Sequence, residues 1–310
     1  MTRRAAARTT HKPSLPLLAG MLVAGLAAGL LAACGGSSGG STPAATATMT
    51  VTVTPSASPS ASPSPSPSAP AWRATTLYFL RNGQLCAVAR RMRSNPASAL
   101  NALLRGSTAS ERAAGVASAI PRGVRQLALT DSGDGNVVVD LSQGFARTGS
   151  PDDVRARMAQ LVYTLSAAGP PPASSSRVDL HVNGVRIAGL PSTGGDVEYT
   201  PTRRGYTSLE PAIFVARPAM NAVVSSPLVL SGRASVFEGT FSARLVDAGG
   251  GRITTATVQA SRGAPGRGSF RRSMPFGTTA AHGTLVVYSV SMEDGSHQNE
   301  VRIPVTFAQD

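Results

Sequence analysis

Hydrophobic and polar positions divide the chain into four unlike stretches. Residues 15–33, LPLLAGMLVAGLAAGLLAA, carry no charged side chain. Residues 35–71 carry none either, but here serine, threonine, proline and alanine replace the large apolar residues. Such a run lacks apolar area to offset chain entropy and is expected not to fold. From residue 73 the pattern becomes that of a globular protein. TLYFL (76–80) and QLCAVARRM (84–92) read as strands joined by Asn82-Gly83, a hairpin signal. Asn95 as N-cap, Pro96 at the first helical position, Leu100, Leu103 and Leu104 on one face and Gly106 past the end predict a helix. GVRQLALT (123–130) and NVVVDLS (136–142) predict two more strands around DSGDG. The longest helix is predicted from Ser150, which has capping-box spacing to Asp153. Its apolar stripe runs through Val154, Met158, Leu161, Val162 and Leu165, and Gly169-Pro170 ends it. RVDLHVNGVRI (177–187) adds two strands about a second Asn-Gly turn. The order β-β-α-β-β-α-β-β predicts a two-layer α+β domain with a mostly antiparallel sheet.

The fourth stretch has strand signals only. AIFVA, PLVLSGRA, TFSARLV, RITTATVQA, SFRRSM, TLVVYSV and VRIPVTF lie between residues 212 and 307, separated by Gly, Pro and Asp turns. Seven short strands predict a β-sandwich. The only tryptophan is Trp72 and no cysteine pair falls in this region, so an antibody-type core is excluded. The expected layout is therefore a signal over 1–33, a disordered Ser/Thr/Pro-rich linker over 34–72, an α+β domain over 73–190, a linker over 191–210 and a sandwich over 211–310.

Charge adds an address. Residues 1–12 hold Arg3, Arg4, Arg8 and Lys12, and no acid occurs before residue 34. A basic segment before an apolar one is the form of a bacterial export signal, because the positive end stays on the cytoplasmic side. Arg3-Arg4 lack the bulky residues of a twin-arginine signal and read as ordinary flanking charge. Uncleaved, the same stretch would be an anchor helix that still leaves the remainder outside the membrane. At about 3 Å per residue, the stalk after it could hold the folded part up to roughly 100 Å from the membrane. Its composition is also similar to O-glycosylated stalks. The net charge is +13, and every basic residue except Lys12 is arginine. An arginine-rich exterior favours anionic surfaces such as lipid headgroups or acidic wall polymers, and it also suits plain solvation.

Leu31-Ala32-Ala33-Cys34 resembles the lipobox of bacterial lipoproteins. That resemblance implies a diacylglyceryl group on the Cys34 thiol, cleavage before it, and Cys34 as the first mature residue. Two acyl chains suffice for stable anchoring. Cys86 is then a lone thiol in an apolar context. LYFLRNGQLCAVARR, ALNALLRG, SAIPRGV, NVVVDLSQGF and LVYTLSAAG leading to VDLHVNG resemble the GerMN domain of sporulation and spore-germination lipoproteins. SSPLVLSGRASVFEGTF and VSMEDGSHQNEVRIPV resemble the immunoglobulin-like domain found beside it in spore-germination proteins. The chain thus resembles actinobacterial lipoproteins of this composition. The resemblance implies no enzymatic activity.

Candidate chemistry is sparse. DSGDGN (131–136) lacks the alternating ligands of a calcium loop and reads as a hairpin turn. EDGSHQN (293–299) reads as the turn before the last strand. Beyond residue 33 the histidines are His181, His282 and His297, scattered over two domains, and no nucleophile-elbow, zinc-helix or phosphate-loop motif occurs. Asp152 and Asp153 suit a helix's first turn. The arginine groups Arg90-Arg91-Arg93, Arg203-Arg204 and Arg262-Arg267-Arg271-Arg272 are candidates for anion contact. The expectation is a non-catalytic envelope lipoprotein with no cofactor and no metal. Its expected partners are the membrane, through its lipid, and an unidentified envelope protein. A peptidoglycan or anionic wall-polymer module is the alternative, and nucleic acid is not expected. An envelope hydrolase with an unrecognised site is the rival from another class.

Overall fold

The computed structural model describes residues 72–132, 136–168 and 176–309. Cys34, the apolar segment and the stalk lie outside the described residues, as do residues 133–135 of the DSGDG turn.

The first domain opens with β1 (Trp72–Arg81) and β2 (Gln84–Arg93), paired in antiparallel register from Trp72↔Arg93 to Arg81↔Gln84. Asn82 and Gly83 have φ of 53° and 75°, the left-handed pair a two-residue hairpin demands. Helix α1 (Pro96–Leu104) starts as its sequence requires. Asn95 accepts a bond from the Ser98 N–H, and Gly106 takes a positive φ of 79° past the end. A short helix not anticipated from periodicity follows, α2 (Ala109–Ala113). It is closed by a capping box: Thr108 Oγ1 accepts from the Glu111 N–H, and Glu111 accepts from the Thr108 N–H at 2.8 Å. Next come β3 (Val116–Ala117), β4 (Gln126–Asp131) and β5 (Val137–Leu141).

Helix α3 (Pro151–Ala168) spans the domain. Its first turn is held by Ser150, which accepts from the Asp153 N–H and donates to the Asp153 carboxylate at 2.7 Å. The predicted stripe is buried, and Val154, Met158, Leu161, Val162 and Leu165 meet Leu77 and Phe79 of β1 and Leu100 and Leu103 of α1 in one core. Two polar residues share that buried face for a reason. Thr164 accepts from the Tyr78 N–H of β1, and Gln160 bonds the Tyr78 carbonyl and the Ala119 N–H. Left unmet, those backbone groups would cost desolvation energy.

After α3 come β6 (Val178–Val182), β7 (Val185–Arg186), β8 (Gly189–Leu190) and β9 (Val197–Glu198). The strands do not form one mostly antiparallel sheet. They divide into β2-β1-β3 and β4-β5-β6-β7, with a small β8-β9 pair. Moreover, β5 and β6 run parallel, from Val137↔Val178 to Leu141↔Val182. The reason is topological: α3 carries the chain back across the layer, and a crossover returns the next strand parallel to the last.

The segment before the second domain, 191–210, includes a helical turn at Arg203–Leu209. The second domain is an immunoglobulin-like β-sandwich. Its strands are β10 (Ile213–Arg217), β11 (Ala222–Val224), β12 (Leu228–Ala234), β13 (Thr240–Asp247), β14 (Arg252–Gln259), β15 (Gly268–Met274), β16 (His282–Val290) and β17 (His297–Phe307). The sheets are β10-β12-β15 and β11-β17-β16-β13-β14. All seven predicted strands are present. The eighth, β11, is three residues long and pairs parallel to β17. Between the sheets Phe241 and Phe270 meet edge to face, centroids 4.9 Å apart, beside Leu230, Leu245, Leu285 and Ile303.

Candidate binding sites at the domain junction and on the first domain

The two domains are joined by side chains from both. Glu210, just before β10, is 3% exposed. Tyr163 of α3 donates its hydroxyl to Glu210 Oε1 at 2.7 Å. From the second domain, Arg233 Nη1 lies 3.5 Å from Oε1 and Arg267 Nη1 lies 3.5 Å from Oε2. Arg267 also donates to the Pro211 carbonyl at 2.8 Å. Burial, reinforced by the Glu210 charge, pushes the Tyr163 hydroxyl far above the usual tyrosine range, so it stays a donor. Beside this pair, Tyr78, Tyr163 and Phe214 form a cluster with centroids 5.3–6.1 Å apart. The Arg203 guanidinium covers Tyr78 and Tyr163 at 5.0 and 4.8 Å and donates to the Tyr163 carbonyl and Ser166 Oγ, both at 2.7 Å.

A second seam is made of backbone. Met220 donates to the Ala87 carbonyl at 2.9 Å and accepts from the Ala89 N–H at 2.8 Å, extending the outer edge of β2. Asn221 then donates to the Pro304 carbonyl of β17 at 2.8 Å. Arg81 bonds the Arg302 carbonyl at 2.7 Å. Under this seam lies a cleft of about 200 Å³ bordered by Cys86, Phe214, Met220 and Ile303. Burial pushes the Cys86 thiol up to about 12. The thiolate is the reactive form, and burial here disfavours it.

The arginine groups read from the sequence part company in the structure. Arg90 is structural: it pairs with Glu111, donates to the Ala102 and Gly106 carbonyls at the end of α1, and stacks on Phe79. Burial alone would raise the Glu111 carboxyl, but bonds from Arg90 and the Thr108 N–H hold it below its ordinary value. Arg203 and Arg267 serve the junction. Arg91, Arg93, Arg204, Arg262, Arg271 and Arg272 are exposed. The structure also gathers four arginines that adjacency did not single out. Arg105, Arg112, Arg122 and Arg125 line an open groove of about 1,080 Å³ between the end of α1, α2 and the loop before β4. No acidic residue lines it.

His181, His282 and His297 stay apart from one another: His181 lies in β6, His282 opens β16, and His297 stacks on Tyr288. Among the described residues no group of three or more His, Cys, Asp or Glu is placed to hold a metal ion. Among the same residues no helix is long and apolar enough to cross a membrane.

Two family models match. Residues 76–188 match the family described as sporulation and spore germination, and residues 212–296 match the immunoglobulin-like domain of bacterial spore germination. Together, in this order, they give the chain a germination-protein-like architecture. Among solved structures, the chain is similar to the tandem GerMN domains of the sporulation protein GerM from Bacillus subtilis, at 12% identity and a TM-score of 0.36. That match covers 66% of this chain and 62% of the GerM structure, so the chain spans less than two thirds of it. A putative lipoprotein from Clostridium perfringens is similar at 14% identity and a TM-score of 0.27, over 39% of this chain and 80% of the other. No curated protein matches the chain.

Proposed function

We propose that this chain is a lipid-anchored, non-catalytic protein on the outer face of the cell membrane. Its two domains act as one rigid head that docks an envelope protein in a sporulation- or germination-related process. The observation that carries this reading is the junction. Buried Glu210, tied to α3 on one side and to Arg233 and Arg267 on the other, fixes the domains against each other. Domains that only needed tethering would be served by a loose linker; a fixed relative orientation matters when one partner touches both. The family descriptions, which name processes and no reaction, support the non-catalytic reading. The lipobox-like Leu31-Ala32-Ala33-Cys34 after an apolar stretch supports the anchor, and the uncharged residues 35–71 supply the spacer. A second reading, an anionic wall-polymer module, is favoured by the acid-free arginine groove.

Fatty-acid labelling in cells tests the anchor. Wild-type protein is expected to incorporate the label at the Cys34 thiol, and Cys34→Ala is expected to incorporate none and to keep its apolar segment 15–33 uncleaved, because the residue that takes the lipid and marks the cleavage point is gone. An unlabelled wild type, or label that persists on Cys34→Ala, would overturn the lipid assignment.

A further inference from the structure

We infer that the first domain binds a linear phosphodiester polymer along a track of arginines on the exposed side of α1. This deepens the wall-polymer reading of the same groove and rests on the extracytoplasmic location proposed above. Beyond the groove of Arg105, Arg112, Arg122 and Arg125 lies a second hollow of about 370 Å³, bordered by Trp72, Arg91, Arg93 and again Arg105. The two share Asn101 and Arg105, so the basic surface is continuous. Arg91, Arg93, Arg105, Arg122 and Arg125 have no carboxylate within ion-pair distance among the described residues, and Arg112 reaches only the Ser107 carbonyl. Glu111, the nearest acid in sequence, is turned inward and consumed by Arg90.

Six like charges held together without counter-charges repel one another, and an incoming anion relieves that repulsion. The shape chooses among anions. The two hollows together exceed the roughly 300–1,000 Å³ of an ordinary small-molecule site, which fits a chain rather than a single small ion. A flat bilayer cannot follow a concave groove. The rim is also suited to a hydrophilic chain. Gly106 and Gly123 have φ of 79° and 83° with no atom within 4 Å of where a Cβ would stand, so backbone is open to close approach there. Ser107 and Ser118 border the same space. Arginine forks match phosphate oxygens two at a time.

The test uses the full chain carrying Cys34→Ala, so that no lipid contributes, and fluorescein-labelled poly(glycerol phosphate) as probe. Six phosphate contacts, at a slope of about −0.7 each, lower affinity roughly 300-fold between 50 and 200 mM salt. Removing three of them with Arg105→Ala, Arg122→Ala and Arg125→Ala is expected to weaken binding at 50 mM salt and to cut that salt effect to roughly twentyfold. Removing the same charge with Arg262→Ala, Arg271→Ala and Arg272→Ala on the second domain is expected to leave affinity within about twofold. All six side chains are exposed, and circular dichroism checks that both triple variants fold. Equal weakening by the two triple variants, or no binding at 50 mM salt, would overturn the proposal. So would tighter binding to poly-glutamate, or tighter binding to phosphatidylglycerol vesicles that the Arg105, Arg122 and Arg125 triple variant loses, which would assign the track to an acidic protein or to the membrane. The comparison between the two triple variants does not depend on a lipid at Cys34, so failure here is distinguishable from failure of the anchor.

Discussion

Glu210→Ala is expected to destabilise the protein by about 2–3 kcal/mol and to split its unfolding into two transitions. Removing one partner of a buried ion pair typically costs about 3–5 kcal/mol, because the remaining charge is left uncompensated. Here the cost falls below that range, since Arg233 is 41% exposed and can turn to water, whereas Arg267 is 19% exposed and cannot do so fully. The variant also leaves the Tyr163 hydroxyl without its short bond in a buried place. Glu210→Gln keeps an acceptor for Tyr163 but loses the charge facing two guanidiniums, and is expected to cost about half as much. Urea unfolding followed by Trp72 fluorescence and by far-ultraviolet circular dichroism measures both effects. Coincident wild-type-like curves for Glu210→Ala would mean that the junction contributes nothing to stability.

The second large effect is expected at Gly232 in β12. A Cβ built there would stand 2.0 Å from the Phe214 carbonyl oxygen and 2.9 Å from the Phe270 ring. No rotamer relieves the first contact, because both sides are backbone. The strands themselves must separate, and β10 already has a register shift between Val215 and Arg217 beside this point. Gly232→Ala is therefore expected to cost about 3 kcal/mol, the upper end for atoms forced into a packed core. The damage should travel. Phe214 lies in β10 and belongs to the ring cluster with Tyr78 and Tyr163, so moving β10 disturbs the junction too. A melting temperature lowered by several degrees is the expected reading; an unchanged one would show that the strands yield without cost.

Local features were legible in the residues that form them. Asn82-Gly83 and Asn183-Gly184 have the positive φ pairs that their sequence announces. Asn95 and Ser150 cap the helices they precede, and the stripe on α3 is the buried face. Features set by distant chain were not. The parallel pairing of β5 and β6 depends on where α3 delivers the chain, which no window of residues records. Helix α2 is too short for a periodicity, although its Thr108–Glu111 capping spacing was there to be read. Glu210 gave no signal, because its partners lie 23 to 57 residues away. Arginines were grouped by adjacency, which placed Arg90 among anion-binding candidates. Its partner Glu111, 21 residues on, makes it structural. The same distance effect hid the groove, whose four arginines come together only when α1, α2 and the following loop fold on one another.

The most direct test of the docking function is crosslinking in living cells that make the full chain with a C-terminal tag, followed by denaturing capture. One defined envelope protein is expected, crosslinked strongly to the wild type and weakly to Glu210→Ala at equal protein level. Recovery of wall polymer alone, released by salt, or equal capture of that protein by Glu210→Ala, would contradict a rigid two-domain docking head.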